Sequence, residues 1–444
     1  MLSMFLIGFC RTKKTLCHRA LERFMLHSDY YVRRREITKE FSKSRLLLYL
    51  MFIILVFFPW VSFGLNSFDV QPWILFFGLA IVLIFIKRQG DLLFLLVVIS
   101  LPIVSQLIAV LFGSDIDFML FQRGVASYII FACVYIIQRN SLNLYPVFYK
   151  YIFLINLFYL VVGFIQITFP EISFDWAVHG RTTGVSGDRG VYSLSVEPTA
   201  FGLFLLILSV IHLVSIDQSN RKKVYFIVAL NALAILFLAQ SSTAAIYMLL
   251  GVILLGFSGL SVKDILFIWF LTFFMGITYI ASHEDSRLLL IFSNFLSGDF
   301  LEVFLLDESA FDRIMATIHP LIASYKNLFM PGGFYLVSSL ESIDISWIDS
   351  SLQSYHAGNK IMSLWGGLIA ETGFFGILLL FIVTITLIHR VNLLTKIKRR
   401  KYYLLFLFLF LLGFSSVGIS LSVVPFTLAL IISKIEKDIE YVQK

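Results

Sequence analysis

Long apolar runs alternate with short polar segments along this chain. A helix needs about 20 mostly apolar residues to cross a bilayer, and twelve runs approach or reach that length. We predict membrane-spanning helices over residues 46–64, 72–86, 92–112, 118–137, 151–169, 198–215, 224–240, 242–258, 265–281, 361–388, 402–415 and 416–433. The pattern therefore predicts an all-α integral membrane protein, in which the last two runs are separate helices or one helix kinked at Pro425.

The distribution of lysine and arginine orients these runs. If successive spans alternate in direction, all but seven of the 35 lysines and arginines fall on one side. Cytoplasmic loops carry such an excess, so both termini are predicted to be cytoplasmic. The bias also explains the net charge of +7 without nucleic acid as a partner. The residues on the outer side are Arg123, Arg181, Arg189, Arg287, Arg313, Lys326 and Lys360.

Polar segments divide the chain into three parts. Residues 1–45 are predicted to form a basic cytoplasmic arm, 46–433 a polytopic transmembrane domain, and 434–444 a cytoplasmic tail. Two outer loops are longer than the rest, at 170–197 and 282–360. Because these two loops hold nearly all of the outer cations, we expect the chemistry of the protein to lie between them.

The larger outer loop contains two amphipathic stretches. LLLIFSNFLSGDFLEVFLL (residues 288–306) and FDRIMATIHPLIASYKNLFM (residues 311–330) repeat apolar residues at helical spacing. Such helices lie along the membrane surface instead of crossing it. The loop is therefore predicted to cover the outer ends of the spans.

The predicted spans contain few ionisable residues. Glu371 is the only acidic residue in any of them, about ten residues into its run. Ion-coupled transporters carry ionisable residues at mid-membrane and often show paired broken helices in matching halves. Neither feature is evident, so the sequence argues against a transporter.

The segment RTTGVSGDRGVYSLSVEPTAFG, residues 181–202, combines glycines with arginines ahead of a span. Glu197-Pro198 is a helix-start signal, because proline is favoured at the first helical position. Neither the loop nor the helix start requires Arg181 and Arg189, which oppose the charge bias. Guanidinium groups bind phosphate in bidentate geometry. We therefore expect these arginines to bind a phosphate group at the membrane surface.

Three further residues each allow two interpretations. Arg313 is either one half of a surface ion pair or a second phosphate ligand. Arg123 lies near the outer end of its span, where it either extends to the lipid headgroups or supports the site. His356 precedes a span and is either incidental or a general base, since its ordinary pKa of about 6.5 is close to working pH.

The D-x-D sequence Asp115-x-Asp117 lies in a short outer turn and is typical of metal-dependent glycosyltransferases. So short a motif recurs by chance, and we interpret it as a structural turn. No metal and no other cofactor is expected.

Three motifs, in order, resemble one family. Arg189-Gly190, Ser193-Leu194, Glu197-Pro198-Thr199 and Gly202 resemble the outer-loop signature of O-antigen polymerases of the Wzy type and their ligase relatives. DRIMATIHPLIASYKNLFMPGGF is similar to the family's arginine followed by a Pro-Gly-Gly turn. HAGNKIMSLWGGLIAETGFFG is similar to its histidine and Glu-x-Gly-x-x-Gly pattern. Ala357 replaces the asparagine that usually follows the histidine, which favours the polymerase over the ligase.

The resemblance implies a GT-C-like fold and an inverting, metal-independent glycosyltransferase in the bacterial inner membrane, with its active site facing the periplasm. Undecaprenyl-diphosphate-linked oligosaccharides would be both donor and acceptor. The implied roles are diphosphate binding for Arg189, Arg313 and Arg181, a catalytic base in His356 with Glu197 in reserve, and support from Glu371 and Arg123.

Other readings stay open at the level of sequence. They are an O-antigen ligase, a lipid-linked oligosaccharide flippase or other transporter, and a membrane scaffold without catalytic activity. Membrane lipid is an expected partner, together with a chain-length regulator and a flippase of the same pathway.

Overall fold

The structure, a computed structural model, describes residues 43–61, 73–113, 117–172, 174, 176, 178, 190–215, 221–256, 308–335, 363–415 and 417–443. Within these ranges it contains α-helices and no strand, and one isolated β-bridge pairs Val61 with Val178. The helices are α1 (Lys43–Phe57), α2 (Trp73–Phe85), α3 (Gln89–Leu111), α4 (Phe118–Asn140), α5 (Tyr145–Thr168), α6 (Pro198–Val214), α7 (Arg221–Ala234), α8 (Ser242–Gly256), α9 (Glu308–Lys326), α10 (Leu364–Thr372), α11 (Phe374–Asn392), α12 (Lys396–Leu412) and α13 (Val423–Gln443).

Five of the described helices are long and apolar enough to cross a membrane. They are α3, α4, α5, α11 and α7, the last with the π-helical turn Ile235–Ala239 that continues it. Large apolar side chains such as Leu93, Leu107 and Phe381 are exposed on α3 and α11. An exposed apolar surface of this kind is unfavourable in water but is favourable in contact with lipid acyl chains. The all-helical class is thus confirmed, the helices support a membrane location, and the twelve-span topology stays a prediction.

One predicted run differs from the structure, and an alternative left open at the C-terminal end is decided by it. The run 361–388 is divided into α10 and α11 at Gly373, whose φ of +57° and ψ of −134° suit glycine alone. In the run 402–433 the structure contains two helices, α12 and α13, instead of one kinked helix. Pro425 lies in the first turn of α13, where no helical donor is lost. The predicted helices at 265–281 and 288–306 lie outside the described residues.

Polar contacts gather several helix ends at one end of the bundle. Asn140 at the end of α4 donates to Asp91 Oδ2 of α3 at 2.7 Å. Glu436 of α13 accepts from Arg139 of α4 at 2.9 Å and also pairs with Arg390 of α11. We call this the basic end, and we call the opposite ends of α3, α4 and α11 the far end. The basic end is the side that the sequence predicts to be cytoplasmic.

Helix α6 lies at the centre of the bundle. Every residue from Phe201 to Val214 is buried, as expected for a helix that is apolar on all sides. Helices α7, α8 and α13 pack around it. Since Tyr145 at the start of α5 bonds Ser215, just past the end of α6, the N-terminus of α6 with Glu197 lies at the far end.

Candidate functional site

The structure describes three of the seven candidate side chains. Those of Glu197, Glu371 and Arg123 are described, and all three lie at the far end. Residues Arg181, Arg189 and His356 lie outside the described residues, and Arg313 lies within α9 without a described side chain. The described geometry is that of these three residues and of the elements that adjoin the other four in the sequence.

Unusual backbone conformations are concentrated at the far end. The described residues with positive φ are Ser193, Gln240, Leu328, Phe329, Gly113, Gly333 and Gly373. All seven lie at the far end, next to the outer ends of α3, α5, α7, α9 and α11. The conformation costs a residue other than glycine roughly 1–2 kcal/mol, and it persists where surrounding structure enforces it, often at ligand clamps and active sites. The far end is therefore the candidate functional site.

The first outer loop returns to the bundle at Gly190. A Cβ at Gly190 would lie closer than 3.0 Å to the carbonyl oxygens of Leu238 and Ala239. The next residue, Val191, donates its N–H to the Leu238 carbonyl at 2.7 Å. Only glycine permits this approach between two backbone segments. Gly190, predicted as part of a motif, thus anchors the loop directly after Arg189.

Ser193 holds the same segment against α5. Its N–H donates to Gln166 Oε1 at 2.6 Å, and Gln166 Nε2 donates back to the Ser193 carbonyl at 3.1 Å. The Ser193 hydroxyl donates to the Tyr159 carbonyl at 2.7 Å. Three hydrogen bonds among buried groups fix Ser193 at a φ of 52°. The serine of the predicted motif therefore has a structural role.

Glu197 occupies the cap position of α6. Its backbone is extended, with φ −160° and ψ 161°, and its carbonyl accepts from Phe201 N–H at 3.1 Å. Its side chain makes no capping hydrogen bond to the helix. A carboxylate at this position is favoured by the positive end of the helix dipole. Glu197 is half-buried, so the carboxylate is placed at the far end without being used as a cap.

A break between α7 and α8 lies beside the start of α6. The π-helical turn ends at Ala239, Gln240 has a φ of 45°, and α8 begins at Ser242. The Ser241 hydroxyl donates to Thr199 Oγ1 at 3.0 Å. π-Helical turns are rare and are frequent at functional sites. The sequence analysis did not predict this break, because the apolar run continues through it.

The Pro-Gly-Gly turn after α9 packs against α10 and α3. The Gly332 N–H donates to the Ala370 carbonyl at 3.2 Å, and the Phe374 N–H donates to the Phe329 carbonyl at 2.7 Å. Gln106 of α3 accepts from the Phe334 N–H at 2.8 Å. Two segments that the resemblance singled out, the turn and the Glu-x-Gly-x-x-Gly pattern, are thus in direct contact.

The ring of Phe334 fills a space on α4. A Cβ at Gly124 would lie closer than 3.0 Å to three atoms of this ring. Phe121 and Tyr128 flank the ring, with centroids 6.1 and 6.4 Å away. Because Gly124 and Tyr128 are four residues apart, they share one face of α4. The Pro-Gly-Gly turn therefore packs, through Phe334, against the same face of α4 from which Tyr128 bonds Glu371.

Glu371 is bonded to Tyr128 across two helices. The Tyr128 hydroxyl donates to Glu371 Oε2 at 2.8 Å. Tyr128 is buried and Glu371 is half-buried, so this carboxyl group lies between the bundle interior and the far-end surface. An acidic residue within a predicted membrane span is a candidate functional residue. The structure thus gives the predicted supporting residue Glu371 a hydrogen-bond partner on α4.

Arg123 and Asp117 lie on the first turns of α4. Arg123 is half-buried and precedes Gly124 and the Phe334 ring. Asp117 caps the helix, with its Oδ1 accepting from Met119 N–H at 2.8 Å and Leu120 N–H at 3.1 Å. Its carboxylate is thus used structurally, in agreement with the interpretation of the D-x-D sequence as a turn.

Among the described residues, no group of three or more His, Cys, Asp or Glu residues is arranged to hold a metal ion. Asp115 and His356 lie outside the described residues.

The sequence analysis missed a polar network inside the bundle. Asn156 of α5 and Asn231 of α7 donate to each other's side-chain oxygens at 2.7 and 3.0 Å. Ser209 Oγ of α6 accepts from Asn231 at 3.0 Å, and His212 lies 3.2 Å from Asn156 Oδ1 and 2.8 Å from the Tyr149 hydroxyl. The sequence signal for this network was the presence of polar residues, Asn156, Asn231 and His212 among them, inside three apolar runs.

No protein family, no curated protein and no solved structure matches the chain.

Proposed function

We propose that this chain is an O-antigen polymerase, a membrane glycosyltransferase that joins undecaprenyl-diphosphate-linked oligosaccharide repeat units. A hydroxyl of the acceptor unit attacks the anomeric carbon of the donor, and a carbon–oxygen bond forms. The sugar–phosphate bond breaks, and its electron pair leaves with the diphosphate lipid. The proton of the attacking hydroxyl passes to a base of the enzyme.

The observation that supports this proposal most is that residues with positive φ are concentrated in the segments that resemble the polymerase family. Five of the seven positive-φ residues belong to the three segments that resemble the polymerase family: Ser193, Leu328, Phe329, Gly333 and Gly373. Three of the five, Ser193, Leu328 and Phe329, are not glycine and adopt this conformation at an energetic cost. All five lie at the same end of the molecule, although the segments are far apart in sequence. A catalytic site that clamps a lipid-linked substrate at the bilayer surface explains such a placement.

The proposed roles follow from where negative charge develops. As the sugar–phosphate bond breaks, charge accumulates on the diphosphate, so cations held nearby stabilise the transition state more than the ground state. We assign this role to Arg189 and Arg313, with Arg181 as an auxiliary ligand. His356 is the proposed base and Glu197 its alternative.

Glu371 and Arg123 support the site from α10 and α4. The bond from Tyr128 fixes one carboxylate oxygen of Glu371, which limits the directions in which the group accepts further hydrogen bonds. The proposal places the protein in the bacterial inner membrane, with the basic end in the cytoplasm and the far end in the periplasm.

Reconstitution with a defined lipid-diphosphate repeat unit tests the proposal. Arg189→Ala and Arg313→Ala are expected to lose chain extension at unchanged protein level. Lysine at either position is expected to restore little activity, because a point charge does not reproduce bidentate geometry. Arg287→Ala, which removes another outer-side arginine, is the matched control. Full activity in either alanine variant removes that arginine from the mechanism, and full activity in His356→Ala removes the proposed base.

Deletion of the gene distinguishes a polymerase from a ligase or a flippase by the lipopolysaccharide that the cells then make. A polymerase predicts lipopolysaccharide that carries a single repeat unit, because the ligase still caps the core. Loss of all O-antigen instead indicates the ligase or a flippase. An unchanged ladder of chain lengths contradicts the whole assignment.

A further inference from the structure

A cluster of cations marks the start of α12. The sequence KIKRRK, residues 396–401, places five lysines and arginines in six positions at the basic end. Lys434 of α13 adds positive charge close to Lys401. Lys396 and Arg400 are exposed, whereas Lys401 is half-buried between the two helices.

Part of this charge is already used inside the protein. Arg399 Nη2 donates to the carbonyls of Asn392 and Leu394 at 2.6 and 3.2 Å, which caps the end of α11. Lys398 Nζ donates to Asp438 Oδ1 at 2.8 Å. These contacts fix the turn between α11 and α12.

Both carboxylate oxygens of Asp438 accept hydrogen bonds from residues other than Lys401. Its Oδ1 accepts from Lys398, and its Oδ2 accepts from the Tyr402 hydroxyl at 2.9 Å. Another acid on α13, Glu436, binds Arg139 and Arg390. Lys401 itself makes no ion pair among the described residues, and its ammonium group lies 5.9 Å from the centroid of the Tyr402 ring.

The surroundings of Lys401 disfavour its charge. Burial lowers the pKa of Lys401 to about 8, with Lys434 and Lys398 acting in the same direction and Asp438 against them. An anion beside the ammonium group would reverse this effect, since an opposite charge within about 4–6 Å favours the charged form. The site is thus complementary to a negative ligand.

The depth of the cluster indicates the source of that ligand. The apolar run 402–415 begins at the residue after Lys401, so the cluster lies where a helix leaves the hydrocarbon and meets the headgroup region. Anionic headgroups of the cytoplasmic leaflet attract lysine and arginine at this depth.

We propose that Lys401, together with Lys398 and Lys434, forms a binding site at the basic end for the phosphate of an anionic phospholipid headgroup. The site joins α12 to α13 through the bound lipid, in addition to the pair between Lys398 and Asp438. It is independent of the far end and of the proposed glycosyltransferase activity.

Lysine labelling in lipid nanodiscs tests the site on the wild-type protein. The full chain is placed in phosphatidylcholine alone or with added phosphatidylglycerol, acetylated with acetic anhydride over a range of pH, and analysed by peptide mass spectrometry. With phosphatidylglycerol, the pH of half-labelling at Lys401 is expected to rise by about one pH unit or more. Lys222, exposed at the same end, reports the general surface potential and is the internal control.

Each other outcome overturns the proposal. An equal rise at Lys401 and Lys222, or no rise at either, means that no specific lipid site exists. A rise at Lys401 when inorganic phosphate is added to phosphatidylcholine discs assigns the site to a soluble phosphate. Native mass spectrometry gives a second measure: Lys401→Gln is expected to retain several-fold less phosphatidylglycerol than Lys222→Gln, and equal retention contradicts the site.

Discussion

Gly124→Ala tests whether the Pro-Gly-Gly turn is locked onto α4. The new methyl group would lie closer than 3.0 Å to three atoms of the Phe334 ring. The ring has little freedom to yield, because the Phe334 N–H is bonded to Gln106 at 2.8 Å and the rings of Phe121 and Tyr128 flank it. The turn must therefore shift, or α4 must move away from it.

The expected size of the effect follows from two opposing contributions. Replacing glycine by alanine inside a helix gains up to about 1 kcal/mol from helix propensity. Forcing a methyl group into a filled space costs roughly 1–3 kcal/mol. The overlap involves three ring atoms, so we expect the second contribution to dominate and the protein to lose about 1–2 kcal/mol of stability. Chain extension is expected to fall as well, because the same turn contacts Ala370, next to Glu371.

Two further variants make the result specific. Gly90→Ala is the matched control, because a Cβ there meets no atom within 4 Å; its effect is expected within about 0.5 kcal/mol. Phe334→Leu removes the ring, so adding Gly124→Ala to it should cost less than in the wild type, with a coupling of about 0.5–3 kcal/mol. The free energy of unfolding is measured by denaturant titration in detergent. Additive effects of Gly124→Ala and Phe334→Leu would refute the contact.

Three other substitutions test, in turn, a close backbone contact, a buried hydrogen bond and the titration of a histidine. Gly373→Ala places a Cβ against the Phe329 carbonyl oxygen in a backbone region closed to L-residues and should destabilise by about 3 kcal/mol in the same titration. Tyr128→Phe removes the donor to Glu371 and should cost about 1–3 kcal/mol there. Burial lowers the pKa of His319, so its own contribution to the free energy of unfolding should decline as pH falls from about 7 to 5. The free energy of unfolding of the wild type minus that of His319→Gln should decline over the same range.

Much of the helical framework was predictable because the order of apolar and polar residues along the chain determines it. The predicted run 198–215 matches α6, Pro198–Val214, since Glu197-Pro198 signals the start and the apolar stretch ends where the helix does. The amphipathic stretch 311–330 overlaps α9, Glu308–Lys326. Both depend on local periodicity and on helix-start chemistry, which are written in consecutive residues.

The breaks in the helices were not predictable in the same way. Gly373 divides a run that is apolar on both sides, and its unusual backbone is held by the Phe374 N–H bond to the Phe329 carbonyl, 45 residues earlier in the chain. The turn at Gln240 depends likewise on Val191, which bonds the Leu238 carbonyl. Such breaks arise from partners distant in sequence, so a local pattern does not contain them.

The interior polar network helps to hold two of the positive-φ residues, Ser193 and Gln240, at the far end. The paired amides of Asn156 and Asn231 satisfy each other in both directions, which allows one register between α5 and α7. Further along the same helices, Gln166 holds Ser193 and the Leu238 carbonyl holds Val191. If one of these helices slid past the other, the interior pair would break, and so would at least one loop contact, because Val191 and Ser193 lie on one short segment held by both helices. Strain persists only where the surroundings over-determine it, and here the over-determination comes from neutral hydrogen bonds inside the bundle.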